Sequence, residues 1–170
     1  MAVHEHKKNK CSLRCLVLTI SDTRTDETDK SGNLMVEQLT KEGHEIVQKE
    51  IIKDEGIIIH DRIEAGCIKD EIDVILTNGG TGIARRDVTI ETIKPMLEKE
   101  IVGFGELFRM LSYQEDIGSA AILSRAIAGV RNNTAIFATP GSSGAVKLAL
   151  AKLILPELSH VVNEINKDLT

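Results

Sequence analysis

Three stretches of the chain combine small residues, hydroxyls and charges in the manner of ligand-binding loops. They are Ser21-Asp22-Thr23-Arg24-Thr25, Thr77-Asn78-Gly79-Gly80-Thr81-Gly82 and Thr139-Pro140-Gly141-Ser142-Ser143-Gly144. Glycines let backbone N–H groups approach an anion, and the start of a helix favours negative charge. Glycine also serves ordinary turns, so one such loop says little. Three of them, each after a strand-like run, point to a ligand that carries phosphate. Neither G-x-G-x-x-G after a first strand nor G-x-x-x-x-G-K-[ST] occurs. That argues against a dinucleotide oxidoreductase and a P-loop enzyme.

A second constellation is His4, His6, Cys11 and Cys15, which includes a C-x3-C spacing. A metal site is one reading. The stronger reading is a buried thiol beside a solvated tail, because Cys15 falls inside an apolar strand pattern. With Cys67 the cysteines number three, an odd set expected to be reduced.

The elements that must hold these loops alternate between the strand and helix periods. Leu13–Ile20 reads as a buried strand, followed by a polar stretch to Lys30. Ser31 is the expected N-cap of a helix that stops at Gly43. Glu45–Ile52 is a second strand. Asp54 is a candidate cap for a helix with the apolar stripe Ile59, Ile63, Cys67. Ile72–Thr77 is a third strand, nearly all apolar, as a parallel sheet covered on both faces requires. Helices are expected over Val88–Lys99, along the Phe104, Leu107, Phe108, Leu111 face, and over Ser119–Ala128 with Gly129 as its stop. Thr134–Ala138 is a fourth strand. The closing helix carries Val146, Leu150, Leu153, Ile154, Leu158, Val161 and Ile165 on one stripe, with a kink or fresh start at Pro156. The pattern predicts an α/β fold with a mostly parallel sheet.

Composition narrows the function. The chain has 170 residues, of which 42% are hydrophobic, and a net charge of −5. Its pI is about 5.6. One core is the expectation at this length, with residues 1–12 as a flexible tail and 13–170 as a single domain. An acidic balance argues against nucleic-acid or anionic-membrane binding. Tyr113 is the only tyrosine, and tryptophan is absent, so base-stacking platforms are not expected. No apolar run approaches the roughly 18–20 residues of a membrane span. The N-terminal residues lack a signal-peptide apolar region, so a soluble cytoplasmic protein is expected.

Residues Thr77 to Thr89, with Gly79-Gly80-Thr81-Gly82 and Arg86-Asp87, are followed by Gly103-Phe104-Gly105-Glu106, Leu123-Ser124-Arg125 and Pro140-Gly141-Ser142. In these motifs the chain resembles the MoaB/MogA family of molybdenum cofactor biosynthesis proteins, related to the G domains of plant Cnx and animal gephyrin. The likeness runs from about Leu13 to Glu164. The stretch Gly103 to Ser112 is similar to the MoaB branch, and Ser112 to Ser124 is longer than in the MogA and Cnx branches. The last loop departs from the family's more usual pattern at Ser143 and Gly144.

The resemblance implies a three-layer, MogA-like molybdopterin-binding fold and adenylyl transfer. ATP and molybdopterin would give adenylyl-molybdopterin and pyrophosphate with Mg²⁺. The family's two functional aspartates correspond to Asp54 and Asp87. Physical chemistry agrees, since nucleotidyl transfer needs a hard cation held by one or two carboxylates and phosphate oxygens. The competing reading for each aspartate is a helix N-cap. Lys53, Arg85 and Arg86 are nearby cations for a triphosphate. The pterin-side serines correspond to Ser112 and Ser124, whose hydroxyls donate and accept. Ser21, Asp22, Gly141 and Ser142 are further candidate contacts. The resemblance also implies a homo-oligomer, trimer or hexamer, with the Phe104/Phe108 stripe as one candidate interface, and hand-over of product to a metal-insertion protein. Whether molybdenum or tungsten is the eventual metal stays open. The alternatives are a carrier that binds molybdopterin without chemistry, and an assembly scaffold of the gephyrin kind.

Overall fold

The structure is a computed structural model that describes residues 11–169. His4 and His6 of the candidate metal cluster lie outside the described residues. Strands β1 (Arg14–Ile20), β2 (Glu45–Ile52), β3 (Val74–Asn78), β4 (Lys99–Glu100), β5 (Ile127–Arg131) and β6 (Thr134–Thr139) form one sheet. Their spatial order is β2-β1-β3-β6-β5-β4. The first four in that order run parallel, while β5 is antiparallel to both β6 and β4. Helices α1 (Lys30–Lys41), α2 (Gly56–Ile68), α3 (Thr89–Ile93), α4 (Val102–Glu115), α5 (Ser143–Ala149) and α6 (Leu155–Asn166) cover the sheet.

Alternation along β1 shows why there are three layers. Cys15 and Val17 join Met35 and Leu39 of α1, Phe104 and Phe108 of α4 and Val146 of α5 on one face. Leu16, Leu18 and Ile20 join Ile59 and Ile63 of α2 and Ile93 of α3 on the other. Side chains two apart share a face, so a strand covered on both faces must be apolar throughout. Each fully buried Leu, Ile or Phe of this kind contributes about 1.5–3 kcal/mol relative to exposure. Burial pushes the Cys15 thiol up to about 12, so it behaves as a small apolar side chain.

The topology fixes where a ligand can sit. The β1-α1-β2 unit crosses on one face, and β2-α2-β3 returns over β1 on the other, as right-handed crossovers in opposite directions require. The strand order therefore reverses beside β1, and the chains leaving β1 and β3 diverge. Such a switch point leaves a crevice at the carboxyl ends of the strands.

Several expected boundaries move, each for a local reason. Asp29 caps α1, because its carboxylate accepts the Gly32 N–H at 3.0 Å. Ser31 lies inside the first turn, buried, and donates its hydroxyl to Asn78 Oδ1 at 2.8 Å. Asp54 does not cap α2; Glu55 precedes the helix and makes no side-chain cap bond. The helix expected over Val88–Lys99 ends at Ile93. Pro95 has no N–H to continue it, so Lys94–Met96 forms a 3-10 turn before β4.

The expected helix Ser119–Ala128 is instead a 3-10 turn, Gly118–Leu123, followed by β5. Gly129 stops no helix; it lies within β5, opposite Glu100 and Ile136. Asn132 and Asn133 take φ of +46° and +60° between the paired Arg131 and Thr134. That is the two-residue hairpin connection for which asparagine is suited.

On α4 the buried face is Phe104, Phe108 and Ser112, and Leu107 stays exposed. Phe104 packs edge-on to Phe137 at 5.3 Å, and Phe108 is fully buried. These two phenylalanines belong to the core and present no free interface. In the closing helix the stripe Val146, Leu150, Ile154, Leu158 and Val162 is buried. The break at Pro156 is absorbed by a π-helical turn, Leu150–Ile154, with Pro156 in the first turn of α6. Among the described residues, no helix is long and apolar enough to cross a membrane.

Candidate functional site

The carboxyl ends of β1, β3 and β6 open into a cleft of about 500 Å³ at the switch point. Ser21 and Arg24 reach it from the loop after β1, and Asp54 from the end of β2. Gly79 to Gly82 and Asp87 form its floor and one side, and Pro140 and Gly141 come from the loop after β6. Ile117, Ala120, Leu123 and Ser124, from the segment linking α4 to β5, supply a more apolar wall. A hollow of about 520 Å³ along β4 and α6 has none of the three loops.

Sequence dictates the shape of the glycine loop. Gly79 has φ +99°, and a Cβ there would stand 2.2 Å from the carbonyl oxygen of Ile20. Only glycine tolerates that conformation and that approach. The Gly79 N–H donates to Thr139 O at 3.0 Å, which joins the β3 loop to the end of β6. Thr89 at the start of α3 fastens the far side. Its hydroxyl donates to Gly79 O and its N–H to Gly80 O, each at 3.0 Å. Arg125 Nε donates to Thr81 O at 2.9 Å while Nη2 holds Glu91 at 3.0 Å.

Three carboxylates gather beside this loop. Asp54 Oδ1 is buried and has no hydrogen-bond donor among the described residues. A Cβ on Gly80 would stand 2.4 Å from it, so the oxygen rests against the loop. Burial, then the charges of Asp22 and Asp87, push the Asp54 carboxyl up to about 6, with Arg86 opposing. Asp22 Oδ1 accepts the Asp54 N–H at 3.1 Å, and Oδ2 accepts from Arg86 Nε at 2.8 Å. The Asp54 N–H, ahead of Arg86, holds the Asp22 carboxyl below its ordinary value against its partial desolvation. Asp87 accepts the Ala84 N–H at 2.9 Å, closing the turn after Gly82, and does not cap α3, which Val88 precedes.

Most of the residues singled out in the sequence meet here. Ser21, Asp54, Gly79, Gly80, Thr81, Gly82, Asp87, Ser124 and Gly141 line the cleft, and the Asp22–Arg86 pair adjoins Asp54. Lys53 and Arg85 are exposed beside Asp54 and Arg86. Ser21 also shapes its own loop, since its hydroxyl accepts the N–H groups of Thr23 and Arg24. Two serines do not line the cleft. Ser112 continues the buried stripe of α4, 2% exposed. Ser142 caps α5, accepting the Ala145 N–H at 3.2 Å. Arg24 was not legible as a site residue, because one arginine in a polar loop has no periodicity to mark it. The part of the wall formed by Ala120 and Leu123 was hidden by the helix expected over Ser119–Ala128.

A three-layer α/β fold with glycine-bearing loops at its switch point defines a class. Residues 16–160 match the family described as a probable molybdopterin binding domain. The chain belongs to this family, among the MoaB and MogA proteins of molybdenum cofactor biosynthesis. It is 62% identical to molybdenum cofactor biosynthesis protein B of Bacillus subtilis (strain 168) over 169 residues, 99% of each chain. A crystal structure of a molybdenum cofactor biosynthesis protein B superimposes with a TM-score of 0.91 at 56% identity, covering 94% of this chain and 99% of that one. The tungsten cofactor synthesizing protein MoaB from Pyrococcus furiosus does so with a TM-score of 0.78 at 37% identity, covering 92% and 99%.

Proposed function

We propose that this protein transfers an adenylyl group from ATP to molybdopterin, releasing pyrophosphate, in the biosynthesis of a molybdenum or tungsten cofactor. The observation that carries the reading is Asp54 Oδ1, buried against Gly80 without a donor and close to two further carboxylates. An orphaned carboxylate oxygen of this kind calls for a proton or a cation. Among the described residues, no group of three or more His, Cys, Asp or Glu side chains forms a metal cage. Mg²⁺ needs no such cage, because one or two carboxylates, substrate phosphates and waters satisfy it. Asp54 and Asp87 are the residues that would hold it. When bound, it supplies positive charge to offset that gathering on the phosphate oxygens.

The remaining work falls to the chain. The Gly79 to Gly82 loop brings backbone close to the phosphates, and Arg86, Lys53 and Arg85 add positive charge. A phosphate oxygen of molybdopterin attacks the α-phosphorus of ATP, and the bond to the bridging oxygen breaks as pyrophosphate leaves. Ser21 and Ser124 offer hydroxyls within the cleft, and the Ile117–Leu123 wall suits a planar ring. Homo-oligomerisation and hand-over of the product to a metal-insertion protein belong to the same proposal. Leu107, Met110, Tyr113 and Ile117 are apolar residues left exposed around α4 that a second copy would cover.

The test is mass analysis of the pterin after anaerobic incubation of the protein with ATP, Mg²⁺ and fresh molybdopterin. Adenylylated product from wild type, and none from Asp54→Asn or Asp87→Asn, is the expected result. Tight pterin binding without AMP addition would make the protein a carrier instead.

A further inference from the structure

The guanidinium of Arg24, carried by the loop after β1, reaches the loop after β6, the end of β3 and the start of α1. Nη2 donates to the carbonyl oxygen of Gly141 at 2.7 Å, in the loop after β6. Nη1 faces Asn78 Oδ1 at 3.4 Å, directly before the glycine loop, and donates to the hydroxyl of Ser31. The same Nη1 lies 3.5 Å from Asp29 Oδ1, the cap of α1. The base of the side chain is fixed as well, since the Arg24 N–H donates to Ser21 Oγ at 3.1 Å. Asp29 and Asn78 are themselves anchored below the cleft. Asp29 is fully buried, receiving Thr19 Oγ1 at 2.8 Å and Lys49 Nζ at 2.9 Å. Asn78 Nδ2 donates to Thr19 Oγ1 at 3.1 Å.

We infer that Arg24 is a positioning residue, a strap that sets the spacing of the loops after β1, β3 and β6. The inference rests on the adenylyl-transfer reading of the cleft. A planar, permanently charged fork can hold acceptors on separate loops at fixed directions, which the single ammonium of lysine does not. Its attachments on one side are buried and ordered, so the loop that gains most from it is the one carrying Gly141, which follows β6 by only Pro140. Without the strap, Gly141 and the nearby Gly79, whose Cα lies 3.1 Å from where a Cβ of Gly141 would stand, are tied only through the backbone bond from Gly79 to Thr139, one step back from Pro140.

Arg24→Lys and Arg24→Gln are compared with wild type in two ways. Hydrogen exchange in the free protein follows the amides of residues 79–82 and 141–145, and steady-state kinetics follow AMP transfer. Both variants are expected to keep a protected core while the two loops exchange faster. Transfer is expected to lose about 100-fold in kcat, the scale of an ångström's misplacement, with KM for ATP within a few fold. Unchanged exchange in both loops would overturn the strap. So would a raised KM at unchanged kcat, which marks direct ligand contact, or full activity of Arg24→Lys beside an inactive Arg24→Gln, which marks charge alone. If wild type transfers no AMP, the adenylyl-transfer reading fails by itself and molybdopterin affinity decides the strap. Weaker binding by Arg24→Lys with loosened loops sustains it; equal binding overturns it.

Discussion

The carboxylate of Asp54 and the Cα of Gly80 are packed as one unit, with no room for a methyl group between them. A Cβ on Gly80 would stand 2.4 Å from Asp54 Oδ1 and 2.3 Å from Thr89 Oγ1, at a φ of +65°. Gly80→Ala is therefore expected to move the carboxylate and to break the bond from Thr89 to Gly79 O. Backbone strain and lost contacts together cost about 2 kcal/mol. Urea denaturation reads the loss of stability, and the transfer assay reads loss of activity well beyond what that instability explains. A variant as active as wild type would separate Gly80 from the site.

Asp54 itself gives a pH signature. Its carboxyl is raised to about 6 by burial and by the charges of Asp22 and Asp87, so the folded chain holds that proton more tightly than the unfolded chain. The proton's contribution to stability is complete below the ordinary carboxylate pKa of about 4 and is lost as pH rises through about 6. Asp54→Asn escapes that loss. Thermal melts should show the variant above wild type by on the order of 2 °C near neutrality, after allowance for solvent screening. The difference should vanish in acid. A variant that melts lower at every pH would contradict the assignment.

Asp29 has the opposite sign. Burial alone would raise its carboxyl, but Lys49, Thr19 and the Gly32 N–H outweigh it and hold the carboxyl below its ordinary value. The stability this provides is present above the ordinary carboxylate range and is lost as pH falls through the folded value. Asp29→Ala removes the cap of α1 and leaves Lys49 without its buried partner, a loss of about 3 kcal/mol near neutrality. Chemical denaturation over a pH series should show the gap narrowing in acid.

Phe108 tests the core behind the cleft. It is fully buried and within 6.4 Å of the Phe104 ring, centroid to centroid. Phe108→Ala opens a cavity and is expected to cost about 4 kcal/mol, or roughly 12 °C in Tm for a chain of this size. A drop of only a degree or two in calorimetry would mean that the neighbouring helices collapse into the space.

The parts of this molecule that could be read from the sequence are those where one period dominates. The apolar runs of β1 and β3 and the four-residue spacing of Ile59, Ile63 and Cys67 admit one interpretation, and all three elements are there. The glycine loop was legible because no core helix or strand needs Gly79-Gly80-Thr81-Gly82. The antiparallel strand β5 was missed because Ile127 and Ala128 continue a helical pattern as readily as they begin a strand and Gly129 suits a helix stop; the turn signal lies in Asn132-Asn133, which that reading left out. Ser31 and Asp29 are equally good caps by residue type. Lys49 and Thr19 decide between them, and both lie on strands beneath the helix start. The burial of Ser112 was hidden for a related reason: a hydroxyl on a buried helical stripe has the same sequence appearance as one facing a cleft.

The sheet order also determines when the cleft can exist. Strand β6 is the last strand of the chain, yet it occupies an interior position between β3 and β5. Until Thr134–Thr139 has left the ribosome, β3 presents a bare, apolar edge, the kind of surface that recruits other chains and chaperones. The Gly79 N–H has its acceptor, the carbonyl of Thr139, only once that strand arrives. Chain synthesis therefore sets a late deadline for the cleft: a nascent chain that ends between Thr89 and Thr139 has the glycine loop and its tie to Thr89, but lacks the strand that holds the other side.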